Sequence, residues 1–281
     1  MTFSIVGRSV DGRQHGVAVA SKFLAVGALV PAAAADVGAL ATQAHANLAF
    51  REQGLALLRT GAAAADAVAG LVAADPGRDD RQLGVVGATG DGATWTGPRC
   101  HDWAGGRAGD GWAAQGNILA GPHVVDAMRD AWLAGAALPL PQRLLAALRA
   151  GDEAGGDRRG RQSAALLVVE RRGGYAGTSD TVVDLRVDDH PDPVVELRRL
   201  LDVHAMLFGR PDPATLLDLA GPLADEVAGL LARAGHPVGA AGLDDALASW
   251  AGVENLEERL VSGRIDPIVL AHLRRATGER D

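Results

Sequence analysis

The chain has 281 residues, 48% of them apolar, and a formal charge of −8. That length accommodates one large domain, or a medium and a small one, with enough apolar residues to bury a core. The negative charge argues against a nucleic-acid surface and against an anionic-membrane partner, both of which call for basic clusters. No apolar run approaches the ~20 residues that span a bilayer.

Met1-Thr2-Phe3-Ser4-Ile5 has neither the basic start nor the long apolar stretch of a signal peptide, so a cytoplasmic location is expected. The single cysteine, Cys100, excludes an internal disulfide framework and reads as a buried structural thiol. Lys22 is the only lysine against 26 arginines, and with abundant Ala and Gly this is the composition of a GC-rich bacterial genome.

In chain order, Phe3–Val6 and Gly16–Ala20 flank a polar turn at 9–13 and read as a hairpin. Residues 37–43 form a third strand of small side chains, suited to a sheet packed closely on both faces. From Glu52 the period turns helical, with Leu55, Leu58, Val68, Leu71 and Val72, and Thr60-Gly61 separates two helices. Strand character returns over 81–96 around the turn at 89–92, and again at 112–115. Two more helices follow, one carrying Val124, Val125, Met128 and Trp132, the other spanning 141–150. A Gly- and Arg-rich loop at 151–161 leads into strands at 164–169 and 181–187. Asp192 and Pro193 then open an amphipathic helix over 193–207. Hairpin-connected strands with helix pairs between them predict antiparallel sheets covered by helices, not a doubly wound parallel sheet.

Gly209-Arg210-Pro211-Asp212-Pro213 marks a boundary, giving a domain over 1–207 and a small all-helical one over 212–281. In the second, 216–234 reads as one long amphipathic segment, 243–250 as a short helix, and 267–276 as a helix capped by Asp266, with Leu230, Leu231, Leu247, Trp250, Leu256 and Leu270 as its core.

Several segments carry a resemblance: 20–27 (ASKFLAVG), Ala41-Thr42-Gln43, Gln115-Gly116-Asn117, 155–165 (GGDRRGRQSAA) and 183–190 (VDLRVDDH). Together they resemble the bacterial and archaeal domain of unknown function numbered 1028, over roughly residues 1–207. The resemblance implies an Ntn-hydrolase-like α/β/β/α four-layer sandwich, an α+β arrangement. The tail, through 243–247, 252–259 and 263–267, resembles the "putative peptidoglycan-binding" domain often joined to that family.

An Ntn hydrolase uses a Thr, Ser or Cys at the first position of the chain, its free α-amine taking the proton of the nucleophile. Removal of Met1 makes Thr2 that residue; the plainer alternative is a strand-start threonine. Ser21 and Lys22 end the second strand, where a lysine in proteasome-like relatives tunes the amine; a surface lysine is the alternative. Asn117 offers an amide to an oxyanion, or is a turn residue. The 155–163 loop sets Arg158, Arg159 and Arg161 among glycines, a pattern suited to a carboxylate or phosphate or to a solvated turn; it lacks the Gly-Lys-Ser/Thr of a P-loop. Asp188, Asp189, His190 and Asp192 suit either a divalent metal or a helix start, and the second is preferred. His45 and Asn47 face a cleft or cap a turn. No Gly-x-Ser-x-Gly elbow is present.

The resulting expectation is an Ntn-type hydrolase that cleaves an amide or related C–N bond of a small anionic substrate without metal or cofactor. Thr2, Ser21, Lys22 and Asn117 are its catalytic candidates, and Thr42, Gln43, Asp157, Arg159, Gln162 and Ser163 its substrate-binding ones. The alternative is a non-catalytic ligand-binding or scaffold protein that keeps the sandwich. Self-association is left open.

Overall fold

The computed structural model describes residues 2–278. The strands of its first unit are Thr2–Arg8 (β1), His15–Ser21 (β2), Pro31–Ala34 (β3), Gly38–Ala44 (β4), Arg81–Gly87 (β5), Ala93–Thr96 (β6), Gly105–Gly109 (β7), Trp112–Asn117 (β8), Ser163–Val169 (β9) and Thr181–Val187 (β10). Its helices are Ala49–Arg59 (α1), Ala64–Ala74 (α2), Pro122–Ala134 (α3), Leu140–Glu153 (α4) and the start of Pro193–Phe208 (α5). The strands form two antiparallel sheets, a six-stranded one in the order β10-β9-β2-β1-β8-β7 and a four-stranded one in the order β3-β4-β5-β6. The fold is thus α+β, with the hairpin connections expected from the order of elements.

Strand period two assigns the faces. On β1, Phe3 and Ile5 join a core with Trp132, Leu144 and Leu148 of α3 and α4, to which Val194, Leu197 and Leu201 of α5 also belong. The opposite face of β1 and β2 gives Val6, Val17 and Val19 to a second core with Ala39, Ala41 and Val86 of the four-stranded sheet, so the two sheets meet there. The far face of that sheet buries Leu40, Leu83 and Val85 against Phe50, Leu58, Val68 and Leu71 of α1 and α2. Full burial of each such Leu or Val is worth about 1.5–3 kcal/mol.

Two strands escaped the sequence pattern. Pro31 opens β3 at a sheet edge, the place where a missing N–H is tolerated. β7, Gly-Gly-Arg-Ala-Gly, also lies at an edge and has no apolar alternation to reveal it.

His15, at the start of β2, is fully buried, and neither ring nitrogen makes a hydrogen bond within the protein. Burial, with Arg8 beside it, pushes the imidazole down to about 4, against smaller upward pulls from the Gly87 carbonyl and Asp36. The folded state therefore binds its proton less readily than the unfolded chain. Stability should fall as pH drops from about 6.5 towards 4, by at most about 3 kcal/mol. Urea titrations of a His15→Leu variant should lose this slope; an unchanged slope would assign it elsewhere.

The described residues divide between Leu201 and Asp202 into two compact units. The second contains Leu217–Asp218 (β11), Gly221–Arg233 (α6), Leu243–Val253 (α7), Arg264–Ile265 (β12) and Pro267–Ala276 (α8). Its core joins Leu230, Leu231, Leu247, Trp250, Leu256 and Leu270, as the pattern predicts, and the last turns of α5 add Met206 and Leu207. Asp266 caps α8 by accepting from the Ile268 N–H at 2.8 Å. The unit is not wholly helical: Leu217 and Asp218 pair with Ile265 and Arg264, and α6 starts only at Gly221, just before Pro222. The continuous amphipathic reading of 216–234 is corrected accordingly. Arg259 is buried, its Nη1 donating to Asp266 at 2.5 Å, and its other nitrogens donate to the carbonyls of Ala205 and Met206. Among the described residues no helix is long and apolar enough to cross a membrane.

Candidate functional site

The inner faces of the sheets carry small side chains, but at one end polar residues replace them. Thr2 and Ser4 of β1, Ser21 of β2, Gln43 of β4, Gln82 of β5 and Gln115 and Asn117 of β8 are all buried there. Period two puts each of them on the face shared by the sheets, because they alternate with residues that pack under the helices.

Their hydrogen bonds join into one network. Ser4 donates to Gln43 Oε1 at 2.6 Å, Gln43 Nε2 to Gln82 Oε1 at 2.8 Å, and Asn117 Nδ2 to the same oxygen at 2.8 Å. Gln82 Nε2 donates to the Gly116 carbonyl at 2.7 Å and to Thr96 at 2.9 Å, and Gln115 Nε2 to Ser4 Oγ at 2.7 Å. A Cβ on Gly84 would stand 2.0 Å from Gln115 Oε1, so only glycine admits that amide.

Thr2 sits at the end of this network. Its Oγ1 lies 3.1 Å from Ser21 Oγ, and its carbonyl accepts from Gln43 Nε2 at 3.2 Å and Asn117 Nδ2 at 3.5 Å. The strand-end threonine is therefore held from both sheets. Asp157, buried, fixes the neighbouring chain: its carboxylate accepts from the Lys22 N–H at 2.7 Å and the Arg159 N–H at 2.8 Å. Ser163 donates to the Phe23 carbonyl and accepts from the Val26 N–H at 3.1 Å, securing the segment after β2.

A cavity of about 390 Å³ opens beside Thr2 and Gln43. One wall is Phe23, Val26, Leu29 and Val30; the other is Ala44, His45, Ala46 and Leu48, with Arg81 at the side. Arg81 Nε donates to Asp75 at 2.8 Å and Nη1 to the His45 carbonyl at 2.5 Å. The Arg81 guanidinium, helped by the Gly77 N–H and Asn47, holds the Asp75 carboxyl at about 2. Cys100, half-buried, donates to the Arg81 carbonyl, and burial pushes its thiol up.

The structure brings together Thr2, Ser21, Gln43 and Asn117, and places Asp157 on the chain next to them. Asn117 is the last residue of β8, with its amide committed to Gln82 and Thr2, so it is a strand residue and not a turn. Lys22 is exposed and outside the cavity lining. Thr42 does not share the cleft: on β4 it alternates with Gln43, faces the helical side, and donates to the Asn47 carbonyl at 3.3 Å. Gln162 lies just before β9, donates to Asp189 at 3.2 Å and is not part of the cavity lining.

In the arginine loop Arg159 pairs with Asp157 and Arg161 with Asp152 and Asp192, Arg158 is exposed, and none of the three lines the cavity. The acidic segment is likewise a helix start, with the Asp192 N–H donating to His190 Nδ1, and among the described residues no His/Cys/Asp/Glu cluster has a metal-holding arrangement. Of the pair left open, His45 lines the cavity while Asn47 accepts from the Ala49 N–H at the start of α1. Arg81, Phe23, Leu29, Leu48, Ser4, Gln82 and Gln115 were not foreseen. The glutamines carried a signal, being long amides on buried strands rich in small and apolar residues.

Comparison with known proteins follows this division. A family model described as "Family of unknown function (DUF1028)" matches residues 2–197, and one described as "Putative peptidoglycan binding domain" matches residues 207–273. No curated protein matches the chain. Among solved structures, a DUF1028 protein from Silicibacter pomeroyi is 32% identical, covers 80% of this chain and 89% of its own, and superposes with a TM-score of 0.65. A family match over most of the chain, with a solved relative sharing its fold, makes this protein a member of the DUF1028 family, followed by a segment that matches the peptidoglycan-binding domain model.

Proposed function

We propose that the protein is an Ntn-type hydrolase of an amide or related C–N bond, and that its paired sheets under helices are the four-layer Ntn sandwich. The observation that carries this reading is Thr2: a threonine at the head of β1, in the lining of a cavity, with its hydroxyl 3.1 Å from a second hydroxyl and its carbonyl accepting from two amides. Met1 lies outside the described residues, and its removal is part of the proposal.

With Met1 gone, the Thr2 α-amine takes the hydroxyl proton as Oγ1 adds to the substrate carbonyl. The C–N bond breaks and the amine leaves with that proton. Water then cleaves the threonyl ester, releasing a carboxylic acid and restoring the hydroxyl. Ser21 orients Oγ1 and exchanges protons with it, while Gln43 and Asn117 hold the residue in place. The arginine loop, which does not line the cavity, is left out of substrate binding.

Two measurements test this. Intact mass of the native-terminus protein should show Met1 removed. Thr2→Ala should lower hydrolysis at least ~10³-fold, the scale seen when a nucleophile is deleted. Full activity in that variant overturns the reading; a retained Met1 together with ligand binding would favour the non-catalytic alternative.

A further inference from the structure

The cavity beside Thr2 has a definite chemical character. Phe23, Val26, Leu29, Val30 and Leu48 supply apolar walls from two separate segments, and Phe23 and Leu48 stand 50% and 46% exposed at the opening. Side chains of this size, left bare around a concavity, mark a place where apolar surface is to be covered. Arg81 is the only permanently charged residue in the lining, and its charge is already matched: Nε is on Asp75, a carboxylate held well below its ordinary range, and Nη1 is on the His45 carbonyl. Beyond reach of the Thr2 α-amine, among Phe23, Leu29 and Leu48, an anion would lose its water and meet only an ion pair of no net charge, a poor exchange. An uncharged hydrocarbon group would gain in proportion to the area it covers.

We infer that the acyl part of the substrate, the group attached to the carbonyl attacked by Thr2, is uncharged and apolar and packs between Phe23, Leu29 and Leu48. This rests on the hydrolase reading above and adds to it the substrate class. The leaving amine takes no part in this packing. Arg81 acts through its neighbours: by tying Asp75 to the His45 carbonyl it fixes the 44–48 wall and contributes no charge to the substrate.

The test uses native-terminus protein and a series of p-nitroanilides with acetyl, butanoyl, hexanoyl and succinyl groups. kcat/KM should rise about fourfold per added methylene until the cavity is filled. Succinyl, an acid of about the length of butanoyl, should be at least tenfold poorer than butanoyl. Leu48→Asp should collapse the preference for hexanoyl over acetyl. Thr2-dependent hydrolysis that favours succinyl over butanoyl overturns the inference while leaving the hydrolase reading intact. If no anilide is cleaved, calorimetry with hexanamide decides: binding that Leu48→Asp abolishes upholds the apolar cavity without the hydrolase, and no binding overturns it.

Discussion

Replacing Gln82 with leucine is expected to lower the unfolding free energy by roughly 4 kcal/mol, although the side chains are similar in size. Gln82 is fully buried and accepts from Gln43 and Asn117 while donating to Thr96 and the Gly116 carbonyl. Leucine leaves those groups facing an apolar chain, and each buried polar group deprived of its partner costs about 1–3 kcal/mol. The longer contacts that Gln43 and Asn117 keep with the Thr2 carbonyl recover part of this. Denaturant titration measures the loss. The same variant should also reduce turnover of any substrate, since Gln43 and Asn117 both donate to the Thr2 carbonyl. A variant with native stability would mean that the network relaxes around leucine.

Arg259→Ala should unfold the second unit selectively, at a cost of about 3–5 kcal/mol. The guanidinium and the Asp266 carboxylate are 6% and 4% exposed, and removing one partner leaves the other charge buried and uncompensated. It also frees the carbonyls of Ala205 and Met206, the last turn of α5, and deprives Asp266 of the contact that steadies its capping of α8. Hydrogen exchange should show loss of protection over 221–276 with little change over 2–194. Uniform loss throughout would mean that the two units fold as one; no change would mean that the pair is dispensable. Replacing Arg259 and Asp266 together with apolar residues should recover much of the stability lost, because no isolated charge then remains.

The strands that cross the first unit were legible because their apolar residues alternate or cluster between turns. The edge strands were not: Gly105–Gly109 has no apolar pattern, and two-residue β11 and β12 are defined only by each other. The site was legible where it depended on strand ends. Thr2 and Ser21 could be paired because a hairpin brings the start of one strand to the end of the next. Thr42 was misplaced because its face depends on register, and Gln43, one residue on, occupies the inward position. The arginine loop looked like an anion site because a sequence does not display which carboxylates will claim its guanidinium groups; here Asp152, Asp157 and Asp192 do. Arg81 was not legible because it opens a strand, and its partners, Asp75 and the His45 carbonyl, belong to separate loops.

The cavity walls come from two short connections, 22–30 and 44–48, whereas the groups that hold Thr2 lie on strands. Leu29 and Leu48 line the cavity, and the hydrogen bonds of the amide network run between other residues. Substitutions there can reshape what enters the cavity while the strands that hold the threonine stay as they are. Under the hydrolase reading, a mutational library aimed at new specificity belongs in those two connections and not in the paired sheets.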